Sequence, residues 1–230
     1  MKLNIPDNFK KIFPLLKRLF NPKILKSALF FSGGIILFII GVIIYGIILN
    51  LREVPLAEAM REKGFIALHD PNIIIYRKDY SLSLYEDTVL IKTYRANFGK
   101  NVGVPKTNAD DYSTPVGSYQ ICDIDTNYKY YIELKLNYPN INDITEAFRK
   151  NMITQEQFDQ LKFEFYYEGC PKLITTLGNN VSIHGIGEYN FIFRNLPFVF
   201  NWTDGSIALS NEDINELYTV VTKGTKVVIK

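Results

Sequence analysis

The stretch VSIHGIGEYNFIFRNLPFVFNWTDGSIAL, residues 181–209, carries one of the two histidines of the chain and a serine behind a glycine. His184 ends a β-like run, and Ser206 follows Gly205 in a turn after an aromatic insertion. A neutral imidazole can take a proton from a nearby nucleophile, and a glycine turn exposes backbone N–H groups that can hold an oxyanion. This pattern is typical of an acyl-transfer site.

The residue pattern also resembles a known catalytic signature. Ile-His-Gly at 183–185, followed by Trp-Thr-x-Gly-[nucleophile]-Ile-Ala-Leu-Ser-Asn at 202–211, is similar to the motif of the YkuD-type L,D-transpeptidases. That family has a cysteine where this chain has Ser206. The more familiar form of the motif also has histidine and arginine where this chain has Asp204 and Ala208, and the Trp-Thr branch of the family tolerates such changes.

The resemblance implies an enzyme that acts on peptidoglycan stem peptides. In the family, a thiolate attacks the carbonyl between the L-centre of a diamino acid and the following D-Ala, and the acyl group then passes to an amine or to water. By position, His184 is expected to be the base and Ser206 the nucleophile, with backbone N–H groups of Gly205 and Ser206 as oxyanion donors. The candidates for the substrate wall are Gly185, Trp202, Thr203 and Asp204. No cofactor is implied, and the sequence has no metal constellation, P-loop or dinucleotide fingerprint.

The serine leaves two classes of function open. A thiol is readily ionised beside a histidine. An alcohol, in contrast, must give its proton to a correctly positioned base while it attacks. Asp204 is a candidate to orient His184 for that task. The first class is a cell-wall acyltransferase or amidase that uses Ser206. The second is a catalytically silent pseudoenzyme that keeps the groove to bind peptidoglycan or a cell-wall partner.

The N-terminal part of the chain predicts a membrane anchor. Residues 1–26 hold seven basic residues and one acid, whereas the whole chain carries a net charge of only +2. The positive charge is therefore local, and it does not support binding of nucleic acid by the folded domain. Residues 27–51 are uncharged, apolar and long enough to form a single transmembrane helix. The alternative is a cleaved signal peptide with a processing site at residues 57–59.

The basic flank also predicts the orientation of this helix. Positive charge on one side favours an N-terminus in the cytoplasm, so residues from 52 onward are expected outside the inner membrane of a bacterium. Residues 52–69 then form a juxtamembrane linker, in which Pro55–Lys63 is expected to be a short, solvated helix. Residues 70–230 are expected to form the catalytic domain.

The catalytic domain is predicted to be mainly β with short helices, of the α+β class, and the resemblance implies a YkuD-like β-sandwich. Apolar or alternating runs predict strands at 73–76, 81–85, 89–94, 118–124, 128–136 and 225–229. Capping patterns predict three helices, at Asp143-x-x-Glu146, Thr154-x-x-Gln157 and Ser210-x-x-Asp213.

Three further features have more than one interpretation. Lys106 and the Thr-Pro-x-Gly segment at 114–117 resemble part of the family pattern, and we expect them to set a turn rather than take part in chemistry. The aromatic residues of 191–200 are expected in the core, with a lid or a patch facing the membrane as alternatives. Cys122 and Cys170 are expected to be buried free thiols, although a compartment outside the membrane permits a disulfide.

Overall fold

The computed structural model describes residues 21–196 and 198–230. Its first element is an apolar helix, α1 (Pro22–Asn50), of 29 residues. The Asn21 side chain caps the first turn, and Pro22 suits the start of a helix because the first N–H groups have no helical partner. By length and composition, α1 is apolar enough to cross a membrane, with a mean hydropathy of 2.6. Most of the predicted basic leader, residues 1–20, lies outside the described residues.

Eight strands form one continuous mixed sheet. They are β1 (Pro71–Tyr76), β2 (Ser81–Glu86), β3 (Val89–Arg95), β4 (Gly117–Tyr128), β5 (Tyr131–Leu136), β6 (Ser182–His184), β7 (Ile207–Ala208) and β8 (Lys226–Ile229). Their order across the sheet is β3-β2-β1-β8-β4-β5-β6-β7. The pairs β1–β8 and β6–β7 are parallel, and the other neighbours are antiparallel.

The long strand β4 joins the two halves of the sheet. Residues 117–120 pair with β8, and the residues from Ile121 onward pair with β5. At the far ends, Asn97 exchanges two hydrogen bonds of 2.8 Å with Ala208 of β7. The sheet therefore curves round on itself in two regions that share β4, and the prediction of a mainly β domain with short helices and a YkuD-like fold is confirmed. The predicted strand at 128–136 begins at Tyr131 instead, because Tyr128 ends β4 and a turn follows it.

The main core lies against this sheet and includes two of its flanking helices. These are α2 (Leu56–Glu62) and a later helix, Asn211–Tyr218. Leu56 and Met60 of α2 are buried in the same core as the sheet residues, and the Leu56 N–H donates to Glu216 at 3.0 Å. The prediction of a solvated spacer is wrong here, because these two apolar side chains lie four residues apart and form one buried face.

A helical insertion lies between β5 and β6 and has its own small core. It comprises α3 (Ile141–Arg149), α4 (Gln155–Phe163) and a π-helical turn (Glu164–Glu168). The predicted capping box at Thr154 is confirmed. The one at Asp143 is wrong by one turn: Asn140 is the N-cap, and the Asp143 carboxylate accepts from the Asn140 N–H at 2.9 Å. After β6 the chain forms α5 (Asn190–Arg194), and the third predicted helix is α6 (Asn211–Tyr218), capped by Ser210 as expected.

A disulfide joins Cys122 of β4 to Cys170, which follows the π-helical turn. The two Cα atoms are 5.3 Å apart, within the range that a disulfide bridges. The prediction of free thiols is wrong, because the helical insertion folds back along β4 and brings together residues 48 positions apart.

Candidate active site

His184 owes its position to the alternation of side chains along β6. Ile183 pairs with Leu134 and Ile207 in the neighbouring strands, and all three are fully buried in the core. Successive side chains of a strand point to opposite faces, so His184 faces away from this core. Ser182 shares the face of His184 for the same reason.

A hydrogen bond to the neighbouring backbone carbonyl fixes the tautomer of the His184 imidazole. Its Nδ1 lies 2.7 Å from the carbonyl oxygen of Gly185, and a carbonyl can only accept, so Nδ1 carries the proton. Nε2 is then the basic nitrogen. Burial, with a smaller contribution from the nearby charge of Lys129, lowers the pKa of His184 from 6.5 to about 4, although the hydrogen bond with Gly185 acts in the opposite direction. The ring is therefore neutral near pH 7 and able to accept a proton.

Gly185 acts through its backbone rather than as part of the substrate wall. A Cβ at this position would lie 2.6 Å from the carbonyl oxygen of Tyr130 and 2.8 Å from the Asn211 side chain. Only glycine allows this close approach. The residue thus lets the chain turn tightly after β6, which aims its carbonyl at His184.

Aromatic rings surround the imidazole on several sides. The ring of Tyr130 stacks on it at 5.2 Å, and Trp202 meets it edge-on at 5.7 Å. Tyr128 lies at 5.8 Å. Trp202 was expected at the site, whereas the two tyrosines were not. Tyr128 ends β4 and Tyr130 lies in the turn that follows, and the sequence of this distant segment did not indicate that it reaches the site.

The turn that carries Ser206 is fixed by Thr203 and Gly205. The Thr203 hydroxyl donates to the carbonyl oxygen of Ser206 at 2.6 Å and accepts from the Gly205 N–H at 3.4 Å. Gly205 has a φ of +128°, and a Cβ there would lie 2.8 Å from the carbonyl oxygen of Ser113. Thr203 is buried and shapes this turn, as well as bordering the cleft. In the described part of the chain, the Ser206 N–H has no hydrogen-bond acceptor, whereas the Gly205 N–H already donates to Thr203.

Ser206 and His184 line the same cleft of about 310 Å³. Within the described residues no hydrogen bond joins the two side chains. The Ser206 hydroxyl instead accepts from the Ser182 N–H at 3.2 Å, and lies 3.4 Å from both the Ser182 hydroxyl and the carbonyl oxygen of Asn180. The structure thus brings the two predicted residues to one cavity, with the serine bonded to the strand that carries the histidine.

Asp204 does not orient the histidine. Its carboxylate accepts from Lys100 at 2.7 Å, and both side chains are more than half exposed. The expected role falls to the Gly185 carbonyl. Lys100 and Lys129 line the cleft as well, and Lys129 lies over the Tyr130 ring at 4.6 Å. The cleft therefore carries two cations that the motif did not indicate.

A buried carboxylate also faces the site from the neighbouring strand. Glu133 pairs with His184 in the register between β5 and β6, so the two side chains share a face. Burial raises the pKa of Glu133, which a hydrogen bond with Ser182 opposes. Among the residues that the structure describes, its Oε1 atom is buried and has no hydrogen-bond partner. A glutamate in a strand of alternating polar and apolar residues is expected to face solvent. The sequence therefore did not indicate Glu133 as a residue of the site.

Lys106 lies beneath the serine turn rather than in the cleft. Its ammonium group is buried and pairs with the Asp111 carboxylate at 3.0 Å. It also lies 3.5 Å from the position that a Cβ of Gly205 would occupy. The nearby Thr114 hydroxyl accepts from the Gly99 N–H at 3.0 Å. These contacts support the expected structural role of the Lys106 and Thr-Pro-x-Gly segments.

Several solved structures are similar to this chain at low sequence identity. Bd1075 of Bdellovibrio bacteriovorus is 20% identical with a TM-score of 0.43, over 71% of this chain and 48% of that one. The helical cell shape determining protein Pgp2 of Campylobacter jejuni is 17% identical with a TM-score of 0.46, over 70% and 47%. An L,D-transpeptidase of Xylanimonas cellulosilytica is 13% identical with a TM-score of 0.41, over 77% and 70%. The matched region is thus about half the length of the first two proteins.

The family comparison covers most of the chain. Residues 70–229 match the L,D-transpeptidase catalytic domain, YkuD, and this segment includes all eight strands and every residue that lines the cleft. A comparison with curated proteins gives no significant match. The family match begins where the predicted catalytic domain does, and it includes His184 and Ser206. The chain therefore belongs to the YkuD family of L,D-transpeptidase catalytic domains.

Proposed function

We propose that this protein is a membrane-anchored acyltransferase or amidase that acts on peptidoglycan stem peptides. His184 is the base and Ser206 the nucleophile. One observation supports this proposal above the others. A neutral histidine, whose Nε2 has no hydrogen-bond partner among the described residues, lines the same cleft as the serine turn. The family supplies the substrate class, a stem peptide cut between a diamino acid and D-Ala.

The reaction follows from the atoms in the cleft. After rotation about its Cα–Cβ bond, the Ser206 hydroxyl attacks the carbonyl carbon, and its proton passes to Nε2 of His184. The developing oxyanion accepts from the Ser206 N–H, with Gly205 giving the turn its shape. The tetrahedral intermediate collapses, and the D-Ala amine leaves with the proton from the imidazolium. An amine or water then attacks the ester carbonyl and gives its proton to His184, which passes it to the Ser206 oxygen as the ester bond breaks and the acyl product leaves.

The two cleft lysines are proposed to hold the carboxylates of the donor stem. The familiar family signature has an arginine where this chain has Ala208, which is fully buried. Lys129 and Lys100 reach the cleft from other segments and supply positive charge there. A carboxylate bound between them would compete with Asp204 for Lys100. The rings of Tyr130 and Trp202, which meet edge to face at 5.4 Å, would form an apolar wall for the alkyl part of the diamino acid.

A second function is favoured by the side-chain contacts of Ser206. Its hydroxyl is bonded to the Ser182 N–H rather than to His184, and an alcohol is not ionised at neutral pH. A cleft of this kind can bind stem peptides without turning them over. The second candidate is therefore a pseudoenzyme that binds peptidoglycan or a cell-wall partner.

One experiment separates the two functions. The full chain in detergent is incubated with a tetrapeptide-stem muropeptide, next to the Ser206→Cys and Ser206→Ala variants, and acyl-enzyme is sought by mass spectrometry. An active wild type with a silent Ser206→Ala variant establishes a serine acyltransferase. Activity in Ser206→Cys alone means that the cleft is intact and that the serine silences it. Silence in all three, with the muropeptide still bound, establishes the pseudoenzyme, and absence of binding contradicts both functions.

We also propose that α1 anchors the protein in the inner membrane of a bacterium, with its N-terminus in the cytoplasm and the domain outside. The disulfide between Cys122 and Cys170 supports an oxidising compartment for the domain. A signal-peptide cleavage at residues 57–59 would cut α2, whose Leu56 and Met60 are part of the core. An uncleaved anchor is therefore the better account. The intact mass of the protein extracted from membranes tests it, because cleavage would remove α1.

A further inference from the structure

The segment between the two catalytic positions exposes a cluster of large apolar side chains. We call residues 189–200 the aromatic insert; Pro197 lies outside the described residues. Its exposed apolar members, each more than half accessible to solvent, are Tyr189, Phe191, Ile192, Phe198 and Phe200. The expectation that the aromatic residues of 191–200 lie in the core is wrong for Phe191, Phe198 and Phe200. An apolar cluster of this kind on a surface marks a contact with a partner or a membrane.

The aromatic insert is joined directly to the last turn of α1. The Asn50 side chain donates to the carbonyl oxygen of Arg194 at 3.2 Å and to the Asn195 side chain at 2.9 Å. Gly46 is the one buried residue of α1, and a Cβ there would lie 1.8 Å from the carbonyl oxygen of Asn195. The insert therefore packs against the helix backbone, at a site that only glycine leaves open.

The aromatic insert is also fixed to the catalytic domain. The guanidinium of Arg95 donates to the carbonyl oxygens of Phe193, Arg194 and Leu196, at 3.1, 3.1 and 2.7 Å. Arg194 in turn forms ion pairs with Glu53 at 3.6 Å and Glu212 at 3.0 Å. These contacts hold the backbone and polar groups of the insert against the protein, while its apolar side chains point outward.

The dimensions of α1 indicate what covers these side chains. A helix of 29 residues is about 43 Å long, whereas the hydrocarbon core of a bilayer is about 30 Å thick. The ends of α1 thus reach the headgroup region. Gly46 lies four residues, or about 6 Å, before the end of the helix, so the insert meets α1 at the level of the membrane interface. Aromatic side chains are enriched at that level, and interfacial segments bury their apolar face by about 5–10 Å.

We propose that the aromatic insert lies in the outer interface of the same bilayer that α1 crosses, with Phe191, Phe198 and Phe200 among the lipids. The inference rests on the membrane anchor of the proposed function. It assigns the exposed cluster to a lipid surface because the cluster is continuous with an apolar helix.

The aromatic insert also connects the membrane to the catalytic cleft. The ring of Phe193 packs on Trp202 at 6.1 Å, and Trp202 meets His184 at 5.7 Å. A domain seated through both α1 and the insert has one orientation on the bilayer. The cleft is then held at a fixed height, next to stem peptides close to the outer leaflet rather than those in distant layers of the wall.

The disulfide leaves no free cysteine in the described residues, which makes site-specific labelling direct. Single variants Phe191→Cys and Phe198→Cys are labelled with an environment-sensitive fluorophore, and the full chain is placed in nanodiscs with or without doxyl-labelled lipid. The matched control is Ile174→Cys, an exposed apolar position in the loop after the helical insertion, and no described hydrogen bond or ion pair joins this residue to α1. Leu37→Cys, on the exposed surface of α1, reports the anchor itself.

We expect the labels at 191 and 198 to emit at shorter wavelength and to be quenched by doxyl lipid, as the label at 37 is, while the label at 174 is unaffected. If the label at 37 is quenched but the labels at 191 and 198 behave like the one at 174, the inference is overturned and the anchor remains in place. A label at 37 that is not quenched overturns both the anchor and the inference.

Discussion

Lowering the pH from 6.5 to 4 protonates His184 in the unfolded chain before it does so in the folded one. Burial lowers the pKa of the folded residue to about 4, from an ordinary value of 6.5. A difference of this size corresponds to about 3 kcal/mol. Because the unfolded state binds the proton more tightly, this part of the stability is fully present above about pH 6.5 and is lost as the pH falls towards 4.

We therefore expect the free energy of unfolding of the wild type to fall by about 3 kcal/mol more than that of His184→Gln across this pH window. Urea unfolding at a series of pH values measures the difference. Other titrating groups, such as Asp213, whose pKa burial raises to about 6, are present in both chains and cancel. Equal pH dependence in the two chains would refute the reasoning.

The tautomer of His184 is tested in the same samples. Nitrogen chemical shifts of the imidazole rings are expected to show a proton on Nδ1 and none on Nε2 at pH 7, because Nδ1 donates to the Gly185 carbonyl. His69→Gln assigns the signals, since the chain has only two histidines. A proton on Nε2 would contradict the assignment of His184 as a base.

Three variants, each compared by chemical denaturation, test the framework of the site and the domain. Thr203→Val leaves the carbonyl oxygen of Ser206 without its donor and is expected to cost about 1–3 kcal/mol, whereas Thr203→Ser keeps the bond; equal stability of both would contradict the assigned bond. Gly205→Ala forces a Cβ to 2.8 Å from a backbone oxygen and is expected to lower the free energy of unfolding by at least about 1–3 kcal/mol. Its control is Gly103→Ala, where no atom lies within 4 Å of the added Cβ, and the expected change is less than about 0.5 kcal/mol. Replacing Cys122 and Cys170 by alanine opens a loop of 48 residues and is expected to cost about 4 kcal/mol, so an unchanged stability would contradict the disulfide.

The strands and the site motif were predictable because their signals are local. Apolar residues at every second position specify which face of β6 is buried, so Ile183 in the core and His184 at the site follow from the sequence. The caps at Thr154 and Ser210 are equally local, since a side chain bonds to an N–H three residues later. The missed cap at Asn140 follows from the same rule. Asp143 is the third residue of the helix in this capping box, whereas the prediction made it the N-cap.

The other missed features depend on contacts between distant segments. Tyr130 reaches His184 only because β5 pairs with β6, and Cys170 reaches Cys122 only because the helical insertion folds back. The exposed aromatics were placed in the core because a hydrophobic residue is usually buried in a soluble domain. That expectation fails next to Gly46, where α1 and the aromatic insert meet.

The hydrogen bonds of Ser206 can explain only a small part of any loss of catalytic rate. Its hydroxyl must leave the Ser182 N–H, a neutral hydrogen bond of 3.2 Å, before it can reach His184. Such a bond has a net value of about 1 kcal/mol, which reduces a rate by less than about tenfold. Loss of thiolate chemistry in a site built for cysteine is expected to cost on the order of a thousandfold. A Ser206→Cys variant only tenfold faster than the wild type would thus mean a serine enzyme held in a resting contact, whereas a gain of a thousandfold would mean that the alcohol itself silences the cleft.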